Sequence, residues 1–478
     1  MLATTDQSQH VSAKSLSSLM DVLTHEFGNR ACDTLAVREH HSEDEAYHRA
    51  LPDIVVSPEN TEEVSRIVTL CAEFNCPITA WGAGTSLEGN ALCTSGGVCL
   101  DLSRMNNIIA VHAEDMTVTV EAGVTRNQLN NSLRHSGLFF PIDPGADATL
   151  GGMAATRASG TNAVKYGTMR GNVLCCTAVL ANGNIIKTGR RSPKSAAGYD
   201  LTALLVGSEG TLGIITDLTV RLHPVPEYII SITCVFCTID DAVQTAMMAI
   251  QCALGVARIE LLDAKMMAAI NSFEKSDYPI KPTLFVEFHG SELVVEGQAN
   301  QFIEIAESFG GRRTAAASTT EERTQLWKAR HNALYASRAM EPTKKALITD
   351  VCVPISRLAD CVAAARIDLD NSPLTATIAG HVGDGNFHAF ILFDPADSSE
   401  VAIAEALHQE MAKRAISMGG TCTGEHGIGL GKRELLIEEA GASVEAMRMI
   451  KMALDPMGLL NPNKIFIDVP SVRIASQQ

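Results

Sequence analysis

The chain has 478 residues, of which 46% are hydrophobic, and a formal net charge of −17 at pH 7. This length predicts two or three domains, and the negative charge argues against nucleic acid and anionic membranes as partners. No apolar run approaches the roughly 18 residues of a spanning helix, so we expect no transmembrane segment. Thirteen cysteines without framework spacing and an N-terminus without a signal-peptide pattern predict a reduced, cytoplasmic protein, with a peripheral membrane association left open.

The first half alternates helix-like and strand-like segments with loops of small residues. An amphipathic helix is predicted over residues 61–74 and a short strand over 77–81, followed by the loop GAGTSLEGN (82–90). This loop has Leu87 where a dinucleotide-binding G-x-G-x-x-G fingerprint needs glycine, and it lacks the lysine of a P-loop. An anion-binding nest of backbone amides and a plain turn therefore remain equal alternatives for it.

More loops of small residues follow, up to residue 213. Glycine and other small residues let a ligand approach the backbone closely, and their repetition over such a length predicts an elongated ligand, which a dinucleotide fits better than a mononucleotide. The segments are PIDPG (141–145), the stretch 151–167, an Asn-Gly turn between strands at 173–181 and 184–188, and GSEGTLG (207–213) before a strand at 214–222.

Two strings near the C-terminus carry the residues of a metal site. GHVGDGNFH (380–388) lies between apolar strands predicted at 375–379 and 387–393, so its two histidines should face each other across a hairpin. TGEHGIG adds Glu425 and His426, whose side chains should point to opposite sides of an extended backbone. Two histidines and one carboxylate leave an open metal position with a base beside it, although a single histidine in a turn is more often structural.

These motifs together resemble the vanillyl-alcohol-oxidase superfamily of flavoproteins. The loops of the first half are similar to its PCMH-type FAD-binding domain. GHVGDGNFH, TGEHGIG and LDPMGLLNPNKIF (454–466) resemble its branch of FAD-linked 2-hydroxy-acid dehydrogenases. Within that branch, LWKARHNALYASR (326–338) and TDVCVPISRL (349–358) are similar to the mitochondrial-type D-lactate dehydrogenases. The resemblance extends over residues 36–467.

The resemblance implies an α+β architecture with two domains. Residues 1–223 would form an FAD-binding domain of two subdomains, residues 224–425 a cap with an antiparallel sheet, and residues 426–478 a segment that returns to the FAD-binding domain. The two prolines within residues 223–226 fit a linker at the first boundary. Cap strands are predicted at 229–238, 283–289, 347–353 and 387–393, and cap helices at 240–254, 292–309 and 401–418.

The resemblance also implies a cofactor and a metal. FAD would be bound non-covalently, and one divalent ion (zinc, manganese or iron) would be held by His381, His388 and Glu425. His426 would act as the general base. Contacts to FAD are implied for the small-residue loops, the strand after them and one C-terminal residue: Trp81, Gly82, Gly84, Thr85, Ser86, Gly89, Pro144, Gly145, Thr149, Gly151, Gly152, Ala154, Ser159, Gly160, Asn162, Tyr166, Gly167, Glu209, Gly210, Gly213, Ile214, Ile215 and Asn463.

For the substrate, the resemblance implies that Arg330 binds a carboxylate in a bidentate manner. Read from the residues alone, Arg330 is a surface helix residue paired with Glu321 or Glu322. The other pocket residues, whose apolar members fit ordinary core positions equally well, would be Leu334, Ile348, Asn386 and Phe390.

The substrate implied is D-lactate or a related aliphatic D-2-hydroxy acid, with a cytochrome, a quinone or an electron-transfer flavoprotein as the electron acceptor. Alternatives are the flavin subunit of a glycolate oxidase-type complex, a D-2-hydroxyglutarate dehydrogenase, a non-redox relative of ether-lipid synthesis and, without flavin, a metal hydrolase. The sequence leaves the oligomeric state open, a homodimer included.

Overall fold

The computed structural model describes residues 13–467 and shows an α+β chain with two sheet-containing regions. Helices of the first region are α1 (Ala13–Phe27), α2 (Leu35–His40), α3 (Thr61–Glu73), α4 (Arg126–Leu133), α5 (Leu150–Thr156), α6 (Ala163–Tyr166), α7 (Met169–Asn172) and α8 (Leu201–Leu205). Its strands are β1 (Ala31–Cys32), β2 (Ile54–Val56), β3 (Ile78–Trp81), β4 (Val98–Asp101), β5 (Ile108–His112), β6 (Thr117–Glu121), β7 (Leu138–Phe139), β8 (Val173–Val179), β9 (Ile185–Lys187), β10 (Ile214–Arg221) and β11 (His223–Pro224).

The first region contains two main sheets, and helix α3 packs between them. One has the order β1–β2–β4–β3, with β4 parallel to β2 and β3, and the other is antiparallel with the order β5–β6–β10–β8–β9. Helix α3 begins after Asn60, whose side chain accepts the backbone N–H of Glu63. Its apolar face, with Val64 and Ile67, shares one core with Ile214 of the second sheet. The two sheets are thereby held in a fixed relation beneath the small-residue loops.

The second region is built on one antiparallel sheet of eight strands. Its helices are α9 (Ile239–Gln251), α10 (Ala264–Glu274), α11 (Glu292–Ser308), α12 (Thr320–His331), α13 (Ala333–Met340), α14 (Leu358–Asp370) and α15 (Ser398–Ser417). Its strands are β12 (Tyr228–Val235), β13 (Val256–Leu262), β14 (Thr283–Gly290), β15 (Arg312–Ala317), β16 (Lys345–Ile348), β17 (Val351–Cys352), β18 (Ala376–Gly380) and β19 (Asn386–Phe393). The strand order is β15–β12–β14–β13–β18–β19–β16, and β17 also pairs with β19.

This sheet is the antiparallel cap that the resemblance implies. Alternate residues along its strands belong to two different cores, as the two faces of a sheet require. Leu261 packs on one face with α9, α11, α14 and α15, whereas Leu262 packs on the other with α10, α12 and α13. The strand predicted at 347–353 is divided into β16 and β17, because the chain turns its polar residues 349 and 350 inward between them.

The C-terminal segment packs against the first region. After α16 (Arg433–Ala440) and α17 (Ser443–Leu454), the carbonyl of Leu459 accepts the N–H of Ile78 at 2.9 Å. The buried Lys464 donates to the carbonyl of Leu92 at 2.6 Å. The domain boundaries at residues 223 and 425 stay predictions. Among residues 13–467, no helix is long and apolar enough to cross a bilayer.

Candidate active site

A cavity of about 570 Å³ lies between the first region and the cap. Most residues predicted to contact FAD line it: Trp81, Gly82, Gly84, Thr85, Ser86, Pro144, Gly145, Thr149, Gly151, Gly152, Ser159, Gly160, Glu209, Gly210, Gly213, Ile214 and Ile215. The cap contributes Arg330, Leu334, Ile348, Phe390, His381, His388, Glu425 and His426 to the same cavity. The two sets of predicted residues, far apart in the chain, therefore meet at one place.

Six predicted FAD contacts lie outside the lining: Gly89, Ala154, Asn162, Tyr166, Gly167 and Asn463. Several of them have partners within the protein instead. Asn162 donates to the carbonyl of Pro141 at 2.9 Å, and the Tyr166 hydroxyl lies 2.8 Å from His289 Nδ1. Asn463 donates to Ser95 Oγ at 2.9 Å near the surface. These three residues bind other parts of the protein and lie outside the cavity wall.

The first-region wall of the cavity fits a dinucleotide. A Cβ added at Gly145 or Gly210 would meet no atom within 4 Å, so both backbones are open towards a ligand. Arg126 lines the same cavity, and its buried Nε has no hydrogen-bond partner among residues 13–467. A buried donor nitrogen without a partner is unfavourable, and the pyrophosphate of FAD is an anion that could accept its hydrogen bond.

The β18–β19 hairpin brings two histidine rings together, as its sequence predicts. His388 pairs with Ala379 across the ladder, His381 follows β18, and the ring centroids of the two histidines are 5.3 Å apart. His388 Nδ1 lies 2.9 Å from the carbonyl of Thr349, and His381 Nδ1 lies 2.6 Å from Glu260 Oε1. These contacts leave the Nε2 atom of each ring free to serve as a ligand.

Glu425 completes a set of three ligand atoms. Its Oε1 lies 3.3 Å from His381 Nε2 and 3.2 Å from His388 Nε2. Burial alone would raise the pKa of Glu425, but the facing His381 and His388 outweigh this effect and lower it, so the carboxylate is ionised. Two imidazole nitrogens and one carboxylate oxygen in this arrangement suit a divalent metal with an open position.

A second group of potential ligands, formed by Asp350, His388 and His426, overlaps the first. Asp350 Oδ2 already accepts the N–H groups of Glu425 and His426 at 2.8 and 2.9 Å. Asn386 donates to Asp350 Oδ1 at 2.7 Å and does not line the cavity. Because both oxygens of Asp350 are occupied, the group with Glu425 is the better metal site.

His426 lies in the same cluster as the metal-site residues. Its ring stacks on His388 with centroids 5.2 Å apart, and its Nε2 is 3.8 Å from Glu425 Oε1. The expectation that Glu425 and His426 point to opposite sides is wrong, because residues 424–426 form bends and not an extended strand. Burial lowers the pKa of His426 to about 4, so the ring is neutral at pH 7 and can accept a proton.

Arg330 projects from α12 to the cavity and not towards Glu321 or Glu322. Its Nε donates to Glu260 Oε2 at 2.7 Å, and the side chain lines the cavity and is 13% exposed. Glu322 instead forms the capping box at the start of α12 with Thr319. Glu260 therefore connects one of the predicted metal-binding histidines to the predicted carboxylate-binding arginine.

Three apolar residues predicted for the substrate pocket lie together beside this group. Ile348 and Phe390 are directly paired between β16 and β19, and Leu334 belongs to the same hydrophobic cluster. All three also line the cavity. They are therefore core residues and cavity residues at once, because this part of the core borders the cavity.

Sequence reasoning missed Glu260, Asp350 and Arg258. Glu260 and Arg258 lie on β13, a strand that was not predicted, and Arg258 lines the cavity between Asp143 and Glu287. A signal was available, since a charged residue within an apolar strand such as VARIELL needs a buried partner. Asp350 carries the same signal in ALITDVCV.

Two family descriptions match the chain. "FAD binding domain" matches residues 52–189, and "FAD linked oxidases, C-terminal domain" matches residues 225–465, which is more than half of the chain. The chain belongs to the FAD-linked oxidase family. The predicted FAD cofactor is thereby confirmed.

Two relatives of this FAD-linked oxidase cover nearly all of it. A protein of Danio rerio named probable D-lactate dehydrogenase, mitochondrial, is 52% identical over 435 residues, which are 90% of this chain and 88% of the relative. A mitochondrial D-lactate dehydrogenase [cytochrome] of Arabidopsis thaliana is 45% identical over 423 residues, 88% of this chain and 75% of the relative. The resemblance found in the sequence is confirmed.

The fold of the FAD-linked oxidase is also shared with a distant solved structure. The crystal structure of p-cresol methylhydroxylase with bound substrate matches with a TM-score of 0.78 at 17% identity, over 96% of this chain and 98% of that one. The PCMH-type fold is thereby confirmed. The predicted cytoplasmic location, in contrast, is wrong, because both relatives above are mitochondrial by name.

Proposed function

We propose that this FAD-linked oxidase is a dehydrogenase that oxidises D-lactate and related aliphatic D-2-hydroxy acids to 2-oxo acids. The proposal rests on one observation, which is that three features border the same cavity. The open-sided group His381, His388 and Glu425, the guanidinium of Arg330 and the small-residue loops all border one cavity. The names of the fish and plant relatives support D-lactate as the substrate.

Each chemical requirement of the reaction has a group in this cavity. Bound FAD would supply the acceptor for the hydride of C2, and a divalent ion held by His381, His388 and Glu425 would lower the pKa of the substrate hydroxyl. Arg330 binds the substrate carboxylate through the nitrogens that do not contact Glu260. His426 removes the hydroxyl proton at Nε2, the ring atom 3.8 Å from Glu425 Oε1. Burial keeps His426 neutral before this step.

The apolar side of the cavity favours a short aliphatic substrate. Leu334, Ile348 and Phe390 offer no partner to a second carboxylate, and an unpaired buried charge costs several kcal/mol. Each buried CH₂ of an aliphatic chain gains about 0.8 kcal/mol instead. This side of the cavity therefore favours a D-2-hydroxy acid with one carboxylate.

The electrons leave the flavin for a separate acceptor. A cytochrome, a quinone or an electron-transfer flavoprotein is proposed for this role. The name of the Arabidopsis thaliana relative includes the word cytochrome, which supports a cytochrome as the acceptor. The net charge of −17 would favour a basic partner.

Removal of the metal from the purified, FAD-containing chain tests the proposal. Turnover of D-lactate with an artificial electron acceptor should be lost after treatment with a chelator and return when zinc or manganese is added. The FAD content should stay constant, because the proposed ligands lie in the cap region. Full activity of a protein without any divalent ion would show that the metal site is wrongly assigned.

A further inference from the structure

The loop of residues 423–429, which carries the proposed ligand Glu425 and the proposed base His426, is held by two buried carboxylates. Asp350 Oδ2 accepts the N–H groups of Glu425 and His426 and the hydroxyl of Thr423, all at 2.8–2.9 Å. Glu209 accepts two further N–H groups, from residues 428 and 429, at 2.6 and 2.9 Å. Two side chains thus accept hydrogen bonds from four backbone N–H groups of one short loop.

The two carboxylates reach the loop from different regions of the molecule. Asp350 follows β16 of the cap and is fully buried. Glu209 precedes β10 of the first region, is 6% exposed and also accepts the side-chain amide of Asn90 at 2.7 Å. The loop that carries the proposed ligand and base is therefore hydrogen-bonded to both the cap and the first region.

A buried lysine links the two regions a second time. Lys432 has no exposed surface, and its Nζ lies 2.8 Å from Glu88 Oε1 and 3.8 Å from Asp350 Oδ2. Glu88 belongs to the small-residue loop that lines the cavity. A buried lysine needs such compensation, which Glu88 of the first region provides at the shorter distance and Asp350 of the cap at the longer one.

We propose that Asp350 and Glu209 are positioning residues that hold the 423–429 loop so that Glu425 meets His381 and His388. The proposal rests on the function proposed above. Glu209 lines the cavity and was predicted to contact FAD, and in addition both of its oxygens bind the protein itself. Metal affinity should therefore depend on a residue of the first region that is not a ligand.

Zinc titration of the metal-stripped, FAD-containing protein tests this role. Asp350→Asn and Glu209→Gln keep the size of each side chain and replace one acceptor oxygen by a donor, which opposes the loop N–H groups. Each should weaken zinc binding by about 10–100-fold, the usual effect of a residue that orients a ligand. The FAD content should not change in Asp350→Asn, because Asp350 does not line the cavity. Thr423→Val removes one donor to Asp350 and should weaken zinc binding in the same direction, which provides a test if the carboxylate variants fail to fold.

Asp263→Asn is the matched control. Asp263 is a buried cap carboxylate that accepts the N–H of Met266 and pairs with Arg366, without contact to the loop. Its loss should lower the thermal midpoint but leave zinc affinity within twofold of the wild type. If the control weakens zinc binding as much as the two test variants do, the effect is a general loss of stability and the proposal is overturned.

The double variant provides a second criterion. Because both carboxylates hold one loop, the combined loss of zinc affinity should be smaller than the product of the two separate losses. Zinc affinity within twofold of the wild type in the folded single variants, or a wild-type chain that binds no divalent ion, would overturn the proposal. Failure of the proposed function would appear differently, as a zinc-binding protein whose flavin D-lactate does not reduce.

Discussion

Glu260 contacts two proposed functional groups through one carboxylate, with Oε1 on His381 and Oε2 on Arg330. Glu260→Gln would remove the charge and one acceptor from this arrangement. We expect metal affinity to fall by about 10–100-fold and the KM for D-lactate to rise, because Arg330 loses its fixed orientation. Metal titration and steady-state kinetics measure the two effects.

Glu287→Gln serves as the comparison for this substitution. Glu287 is a buried carboxylate on the neighbouring strand β14, where it contacts His289 and Arg258 and none of the metal-site residues. Metal affinity should be retained in this variant. Equal loss of metal in both variants would argue against a specific role of Glu260.

His426 is the proposed base, and its removal should slow one step without emptying the metal site. His426→Asn should reduce the rate of flavin reduction by about 10²–10⁴-fold, the usual contribution of a general base. Stopped-flow absorbance with D-lactate measures the rate, and elemental analysis measures the metal. Loss of metal in His426→Asn together with its retention in Glu425→Ala would show that ligand and base are interchanged.

At the residue scale, the sequence identifies groups that occur in compact motifs. His381 and His388 flank a recognisable hairpin, and the structure places them 5.3 Å apart. Glu260 and Asp350 act through partners that lie on a helix and in loops far away in the chain, and such contacts are not readable from local sequence. The predicted opposite directions of the Glu425 and His426 side chains are wrong for a similar reason. Their directions depend on backbone bends whose N–H groups bind the distant Asp350.

At the element scale, strands with clear apolar periodicity were predicted well. The runs at 375–379 and 387–393 correspond to β18 and β19. Strand β13 was missed, although six of its seven residues are buried, because Arg258 and Glu260 interrupt its apolar pattern. These charged residues face a polar interior at the cavity, which a rule of apolar alternation does not anticipate.

The pairing of β16 with β19 has a consequence for the substrate. Because Ile348 and Phe390 form an apolar wall, kcat/KM should be higher for D-lactate, D-2-hydroxybutyrate and D-2-hydroxyisovalerate than for D-2-hydroxyglutarate. Steady-state assays of the four acids with one artificial acceptor measure the order. A higher value for the dicarboxylate would contradict the apolar pocket.

At the scale of the whole molecule, FAD should be held by contacts and not by a covalent bond. Covalent attachment needs a nucleophilic side chain such as histidine or cysteine, and the loop of residues 79–90 contains neither. Denaturation should therefore release all of the flavin into the supernatant after precipitation of the protein. Flavin absorbance that stays with the precipitate would contradict this prediction.

The central claim is that one cavity, closed by the FAD-binding region and the cap, oxidises D-2-hydroxy acids with its own flavin. The most direct measurement is the visible spectrum of the purified protein under anaerobic conditions, before and after addition of D-lactate or L-lactate. We expect D-lactate to bleach the oxidised flavin within one turnover and L-lactate to leave it unchanged. A flavin that D-lactate does not reduce in the metal-loaded protein would contradict the account.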